Sequence, residues 1–172
     1  MAVANPYAPP AAALEDVSPN AQAEAIRRAH INHEASIKAV GFLYYLGGVA
    51  LTIGGLASIA SGTPTWIFLL AAGVAQLFAG YGVRALKKWG WVLGLVISGL
   101  GLLAFPIGTL INAYILYLFV AKKGRTIFTP EYREVIAATP DVRYKTSIIV
   151  WILLALMAGF ILFAVAVPFF NR

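Results

Sequence analysis

Apolar positions fall into four runs along the chain: Ala39 to Ala60, Trp66 to Ala85, Trp89 to Ala121 and Ser147 to Val167. Three are about 20 residues long, the length an α-helix needs to cross a hydrocarbon core of about 30 Å. The third is about 33 residues, close to 50 Å as one helix, too long for a modest tilt. Pro106 sits in its middle. Proline removes a backbone donor and disfavours helical geometry at the residue before it, so the break belongs at Phe105-Pro106, with Gly108 and Thr109 turning the chain into the next helix. The pattern thus predicts an all-α, polytopic membrane bundle of about five membrane-embedded helices. The third and fourth form a short hairpin broken at Pro106, either spanning fully or re-entrant.

The polar positions assign sides. Arg27 to Lys38, Arg84 to Lys88 and Lys122 to Lys145 hold nearly all the basic residues, whereas SGTPT (61–65) and FPIGT (105–109) carry no charge. With a hairpin at Pro106 the basic segments all fall on one face, as the positive-inside rule requires; a single long span would put the basic 122–146 segment outside. The expected topology is N-terminus in, C-terminus out. Residues 1–17, rich in Pro and Ala, read as a disordered arm without the positive start of a signal peptide. Residues 18–38 read as a cytoplasmic amphipathic helix, capped by Ser18 with Pro19 in its first turn, and 39–172 as the membrane bundle with a cytoplasmic helical loop over 122–146. Ile26, His30, His33 and Ile37 make one stripe of the first helix, and Glu24–Arg28 and Glu34–Lys38 are i,i+4 ion pairs in the favourable order. In the loop, Thr129-Pro130-Glu131 predicts a helix over Pro130–Ala138, and Thr139-Pro140-Asp141 repeats the signal for a second helix feeding the last span.

Small residues suggest where helices touch. Gly54 with Ser58, the trio Ala71, Ala75 and Ala79, and the trio Gly90, Gly94 and Ser98 all recur at four-residue spacing, which lets backbones approach closely in lipid. Gln76 and Asn112, amides inside apolar runs, are expected to face protein, Gln76 through an interhelical hydrogen bond and Asn112 by capping the turn or bonding across helices.

Composition agrees with this picture. The chain has 172 residues, 60% hydrophobic and 12% charged, with mean hydropathy +0.81; soluble domains carry about 25% charge. A net charge of +6 would suggest nucleic acid in a soluble protein. Here the cations flank apolar runs, so anionic lipid head groups at the cytoplasmic face are the expected partner and nucleic acid is not. Without cysteine, disulfides and thiolate metal sites are excluded.

Candidate chemistry is sparse. His30, His33 and Glu34 put two imidazoles and a carboxylate within one helical turn, too few ligands for a closed metal site. Glu131 and Glu134 are neighbours on a charged helix face. No catalytic triad, phosphate loop or intramembrane ionisable residue stands out, which argues against an enzyme, a cofactor and ion-coupled transport. NPYAPP at the N-terminus, FPIGTLINAYILYLF in the middle and FTPEYREVIAATPDVRYKTSIIVWILL near the end resemble a set of small uncharacterised bacterial multi-span inner-membrane proteins. The resemblance implies a bacterial inner-membrane location and brings no activity or site residues. The expected function is a non-enzymatic structural or interaction protein, an accessory or scaffold that binds a protein partner or a second copy of itself. The alternative is a passive channel or small-solute or lipid transporter lined by Gln76, Thr109, Asn112 and tyrosines such as Tyr114 and Tyr117. A reporter fused after Arg125 is expected to read cytoplasmic and one after Arg172 periplasmic; a cytoplasmic C-terminus overturns this topology.

Overall fold

The computed structural model describes residues 19–59, 62 and 64–144, with isolated positions 155, 158 and 159. The arm over 1–17 and, apart from those isolated positions, the span expected from Ser147 to Val167 lie outside the described residues. The elements are all helices: α1 (Pro19–Ile59), α2 (Thr65–Arg84), α3 (Lys88–Gly101), α4 (Ile107–Val120), α5 (Lys122–Ile127) and α6 (Pro130–Ala138). Of these, α1 and α2 are long and apolar enough to cross a membrane. The first helix runs 41 residues without a break, so the charged segment and the first apolar run share one rod.

Buried residues on α1 follow a period of seven. Arg27, Glu34, Gly41, Gly48 and Gly55 are all buried and stand on one line, flanked by Ile37, Val40 and Tyr44. A seven-residue period is the seam of helices packed at a shallow angle. The line faces α2 through the glycines. A side chain at Gly48 would strike the Gly73 carbonyl at 2.9 Å, and one at Gly80 would strike the Gly41 carbonyl at 2.9 Å. Glycine is required at these contacts because the backbones themselves are the packing surfaces. Of the stripe Ile26, His30, His33 and Ile37, Ile37 is fully buried, the histidines are half-buried and Ile26 is exposed, while charged Arg27 and Glu34 also turn inward. Two other predicted small-residue faces hold only in part, with Ala79 fully buried and Ala75 half-buried. Gly54 has open space around it and Ala71 is exposed; Gly55 and Gly73 make the contacts instead. Apolar burial at Ile37, Val40 and Tyr44 and polar pairing at Arg27 and Glu34 together set the rotation of α1.

At the end of α2, Leu86 takes the left-handed conformation (φ 51°) with its side chain buried, and Lys87 N–H donates to Gly82 O at 2.9 Å. This tight cap turns the chain into α3, whose buried residues are Gly90, Gly94 and Ser98. The Gly90 backbone lies directly on Gly82, the ring of Phe119 from α4 fills the space over Gly94, and the Tyr44 hydroxyl of α1 donates to Gly94 O at 2.9 Å and pairs with Ser98 Oγ at 2.6 Å. The break between α3 and α4 falls at residues 102–106, with the Phe105–Pro106 peptide cis.

The core of buried apolar side chains gathers at the polar end of the rods. Ile37, Val40 and Tyr44 meet Val83, Leu86, Leu118, Phe119, Ile127, Phe128 and Tyr132 there. Toward the other end, Leu56, Phe68, Leu103, Phe105 and Leu110 are exposed. Substituting Gly90 by Ala, which drives a Cβ into the Gly82 backbone, is expected to cost about 1–3 kcal/mol by overpacking. Gly54→Ala meets nothing within 4 Å and should cost nothing. Thermal unfolding in detergent distinguishes the two; equal midpoints would refute the close glycine contact.

Candidate functional site

The chemically dense region is where α5 and α6 lie against the charged half of α1. Its centre is Glu34, whose side chain is 0% exposed. Oε1 accepts from Lys38 Nζ at 2.6 Å, one turn along the same helix. Oε2 accepts from the Tyr132 hydroxyl of α6 at 3.0 Å, and Arg27 Nε stands 3.6 Å away, one seam position before it. A buried carboxylate is tolerable only when paired and hydrogen-bonded, and these groups supply both. Tyr132 in turn is held neutral: burial and the Glu34 carboxylate beside it raise its pKa above the usual tyrosine value.

Arg27 also caps α6. Its Nη1 donates to the carbonyls of Ile136 (3.4 Å) and Thr139 and to Thr139 Oγ1 at 3.1 Å. A cation on the last carbonyls of a helix satisfies orphan acceptors and meets the negative end of its dipole. The start of α6 is closed locally. Thr129 Oγ1 accepts from Tyr132 N–H at 3.3 Å, with Pro130 in the first turn. Glu131 follows it, its carboxyl held below the usual range first by its own backbone N–H and then by the Thr129 hydroxyl. The predicted limits Pro130–Ala138 are those observed. No helix begins at Pro140, contrary to expectation. The Thr139 hydroxyl donates back to Val135 O at 2.7 Å and accepts from Arg27, so it ends α6 rather than starting another helix.

The two histidines are spent separately. His30 Nδ1 donates to Ile26 O at 2.8 Å and the ring meets Tyr132 edge-on at 5.8 Å. His33 Nε2 donates to Leu118 O at 2.8 Å, and Trp91 Nε1 donates to Phe119 O at 3.0 Å, so the open carbonyls ending α4 are closed by side chains of α1 and α3. Gly124 of α5 fits over the same carbonyls, where a Cβ would collide with Leu118 O. His30, His33 and Glu34 thus point at three different partners, and among the described residues no three His, Cys, Asp or Glu side chains converge as metal ligands.

An open cavity of about 190 Å³ is lined by Lys38, Arg84, Ala85, Leu86, Arg133 and Ile136. Lys38 reaches it partnered, by Glu34 and by the Tyr144 ring at 5.1 Å. Arg84 and Arg133 are exposed around it. The amides of the apolar runs are not brought together. Gln76 packs against Gly47 between α1 and α2, and its Oε1 is buried without a hydrogen bond, in place of the interhelical bond expected. Asn112 donates to Gly108 O at 2.8 Å beside Gly101, and Thr109 Oγ1 donates to Leu102 O at 2.6 Å, both closing the α3–α4 turn. Since α2 and α4 are not neighbours, Gln76 and Asn112 belong to separate interfaces.

The residues that sequence reasoning missed are Arg27, Tyr132 and Thr139. Their signal was present for Arg27 alone, as the first member of the seven-residue line; Tyr132 and Thr139 meet it across about a hundred residues of chain.

No family model, no curated protein and no solved structure matches the chain.

Glu34→Gln leaves Arg27 and Lys38 without their buried counter-charge and is expected to cost about 3–5 kcal/mol, releasing α6. Glu24→Gln, at the exposed pair with Arg28 (2.8 Å), should change stability by less than about 1 kcal/mol. Limited trypsin digestion at Arg125 and Arg133 reads the difference. Unchanged protection in Glu34→Gln would contradict the keystone role.

Proposed function

We propose that this chain is a non-enzymatic, multi-pass protein of the bacterial inner membrane that acts as an accessory or scaffold component, presenting a rigid cytoplasmic platform built from α5, α6 and the charged half of α1. The observation that carries this reading is the use made of Glu34. The one fully buried carboxylate among the described residues is bonded to α6 and to its own helix, with both oxygens occupied. Its role is to hold a shape rather than to meet a substrate.

The platform's outer face has the alternating charge of an interaction surface: Glu131, Arg133 and Glu134 are all exposed. Its inner edge meets the bilayer. On the topology proposed here, N-terminus in and C-terminus out, Lys38 and Arg84 stand where α1 and α2 leave the hydrocarbon. The cavity they line with Arg133 then opens at head-group depth and suits an anionic phospholipid phosphate, which guanidinium groups bind in a fork. A lipid partner and a protein partner, or a second copy of the chain, use two sides of one platform that meet at Arg133.

Native purification in mild detergent, followed by mass spectrometry, is expected to recover the full chain with a bound protein or a second copy and with anionic lipid. Glu131→Lys combined with Glu134→Lys should lose the protein and keep the lipid, and Arg84→Gln should weaken lipid binding several-fold and keep the protein. Recovery of the wild type as a lone, lipid-free monomer would refute the scaffold reading.

A further inference from the structure

The α3–α4 hairpin is the part of the molecule whose surface least suits water. Leu103 is 83% exposed and Phe105 86%, and Leu100, Ile107 and Leu110 around them are also more than half exposed. No charged residue occurs between Lys88 and Lys122. A loop in water with this surface would be a large unpartnered apolar patch at a chain reversal, where polar turn residues are the rule.

Length gives the second observation. Each arm has 14 residues, about 21 Å, against the 20 residues of α2, about 30 Å. Gly90 lies on Gly82, which fixes a common level. From there α3 continues eleven residues to Gly101, about 16 Å, while α2 continues seventeen to Thr65, about 26 Å. The turn recovers part of that difference and leaves the tip roughly 5 Å short of the far end of α2. Any splay of α3 away from α2 makes it shallower.

The turn's own bonding is the third. Leu102, Leu103, Ala104 and Phe105 N–H all donate to carbonyls between Ser98 and Leu103. Pro106 has no donor. Thr109 N–H donates to Ala104 O at 3.1 Å, and the Thr109 hydroxyl closes Leu102 O. Asn112, the remaining polar side chain near the tip, turns back onto Gly108 O. Backbone at membrane depth must be satisfied internally, because lipid offers no partner. A turn facing water has no such need.

We infer that α3 and α4 form a blind hairpin, entering the bilayer from the cytoplasmic face and ending inside the hydrocarbon, with Leu103, Phe105, Ile107 and Leu110 packed against acyl chains. The inference rests on the proposed topology for the side of entry, but not for the depth. Lys87–Lys88 and Lys122–Lys123 then mark the head-group level at both ends, and the hairpin adds cross-section mainly to the cytoplasmic leaflet. The lack of cysteine in the chain makes depth directly measurable by single introduced thiols.

Phe105→Cys and Leu103→Cys, both at exposed sites, are labelled with a membrane-impermeant maleimide in spheroplasts and in inverted vesicles. Thr65→Cys serves as the outer reference and Glu131→Cys as the inner one. Both tip thiols should react at least tenfold more slowly than either reference from either side, and fully once the membrane is dissolved in SDS. A spin label at Phe105→Cys in liposomes should collide more with oxygen than with a nickel chelate. Outer labelling at the Thr65→Cys rate would mean a full span, and inner labelling at the Glu131→Cys rate a hairpin outside the bilayer. Low collision with both quenchers would mean a protein cover, such as a second copy. Each of these three results overturns the inference. If Glu131→Cys instead reacts only from outside while the tip stays protected, the blind hairpin stands and the proposed sidedness falls.

Discussion

Residues spaced by seven on a helix fall on one slowly drifting line, and on α1 that line is Arg27, Glu34, Gly41, Gly48 and Gly55. Both α2 and α6 are placed by it. Its glycine half demands a backbone-to-backbone approach, which α2 supplies with Gly73 and Gly80. Its charged half demands partners for two ionised side chains withdrawn from solvent, which α6 supplies with Tyr132 and the carbonyls at its C-terminal end. The two demands lie on the same face and cannot be met by one element. The loop from α4 must therefore return along the rod to reach Arg27, and α5 is the short helix that carries it back.

The desolvation cost of this arrangement is what makes it specific. A buried ion pair adds little net stability over a well-packed apolar contact, but removing one partner strands a charge at a cost of several kcal/mol. Apolar packing of α6 on α1 would tolerate a slide by one turn. The Glu34–Tyr132 bond and the Arg27 cap do not, because each fixes a different end of α6 to a different residue of α1. His33 and Trp91 apply the same logic to α4, whose last carbonyls would otherwise be left open where α4 gives way to α5.

Local signals were legible in the sequence and long-range ones were not. Thr129-Pro130-Glu131 gave the limits of α6 because a cap, an N1 proline and a first-turn acid act within one turn. Pro106 located the hairpin, and Gly90, Gly94 and Ser98 marked the buried face of α3 for similar reasons. On α1, hydropathy marks Ile37 for burial but not Arg27 and Glu34. Only a partner distant in the chain makes burying the latter pair tolerable. The seven-residue spacing of Gly41, Gly48 and Gly55 is present in the sequence beside the four-residue pair Gly54 and Ser58, and only the former lies on the contact with α2. Thr139-Pro140-Asp141 has the composition of a helix start, yet Arg27 recruits Thr139 as a helix end.

The uneven distribution of the core follows from the same division of labour. At the polar end, six helices converge and the apolar side chains that fill the gaps between them are buried because protein surrounds them. Away from it, α1 and α2 touch through glycines, against which Leu70, Gln76 and Leu77 pack, while Leu56, Phe68 and Val74 face outward. The large side chains on the other faces of the two helices must meet something other than α1 or α2. In water that exterior would collapse the rods onto each other or onto another molecule. In lipid it would cost nothing, and α1 and α2, which carry this seam, are the two described helices long and apolar enough to cross a membrane.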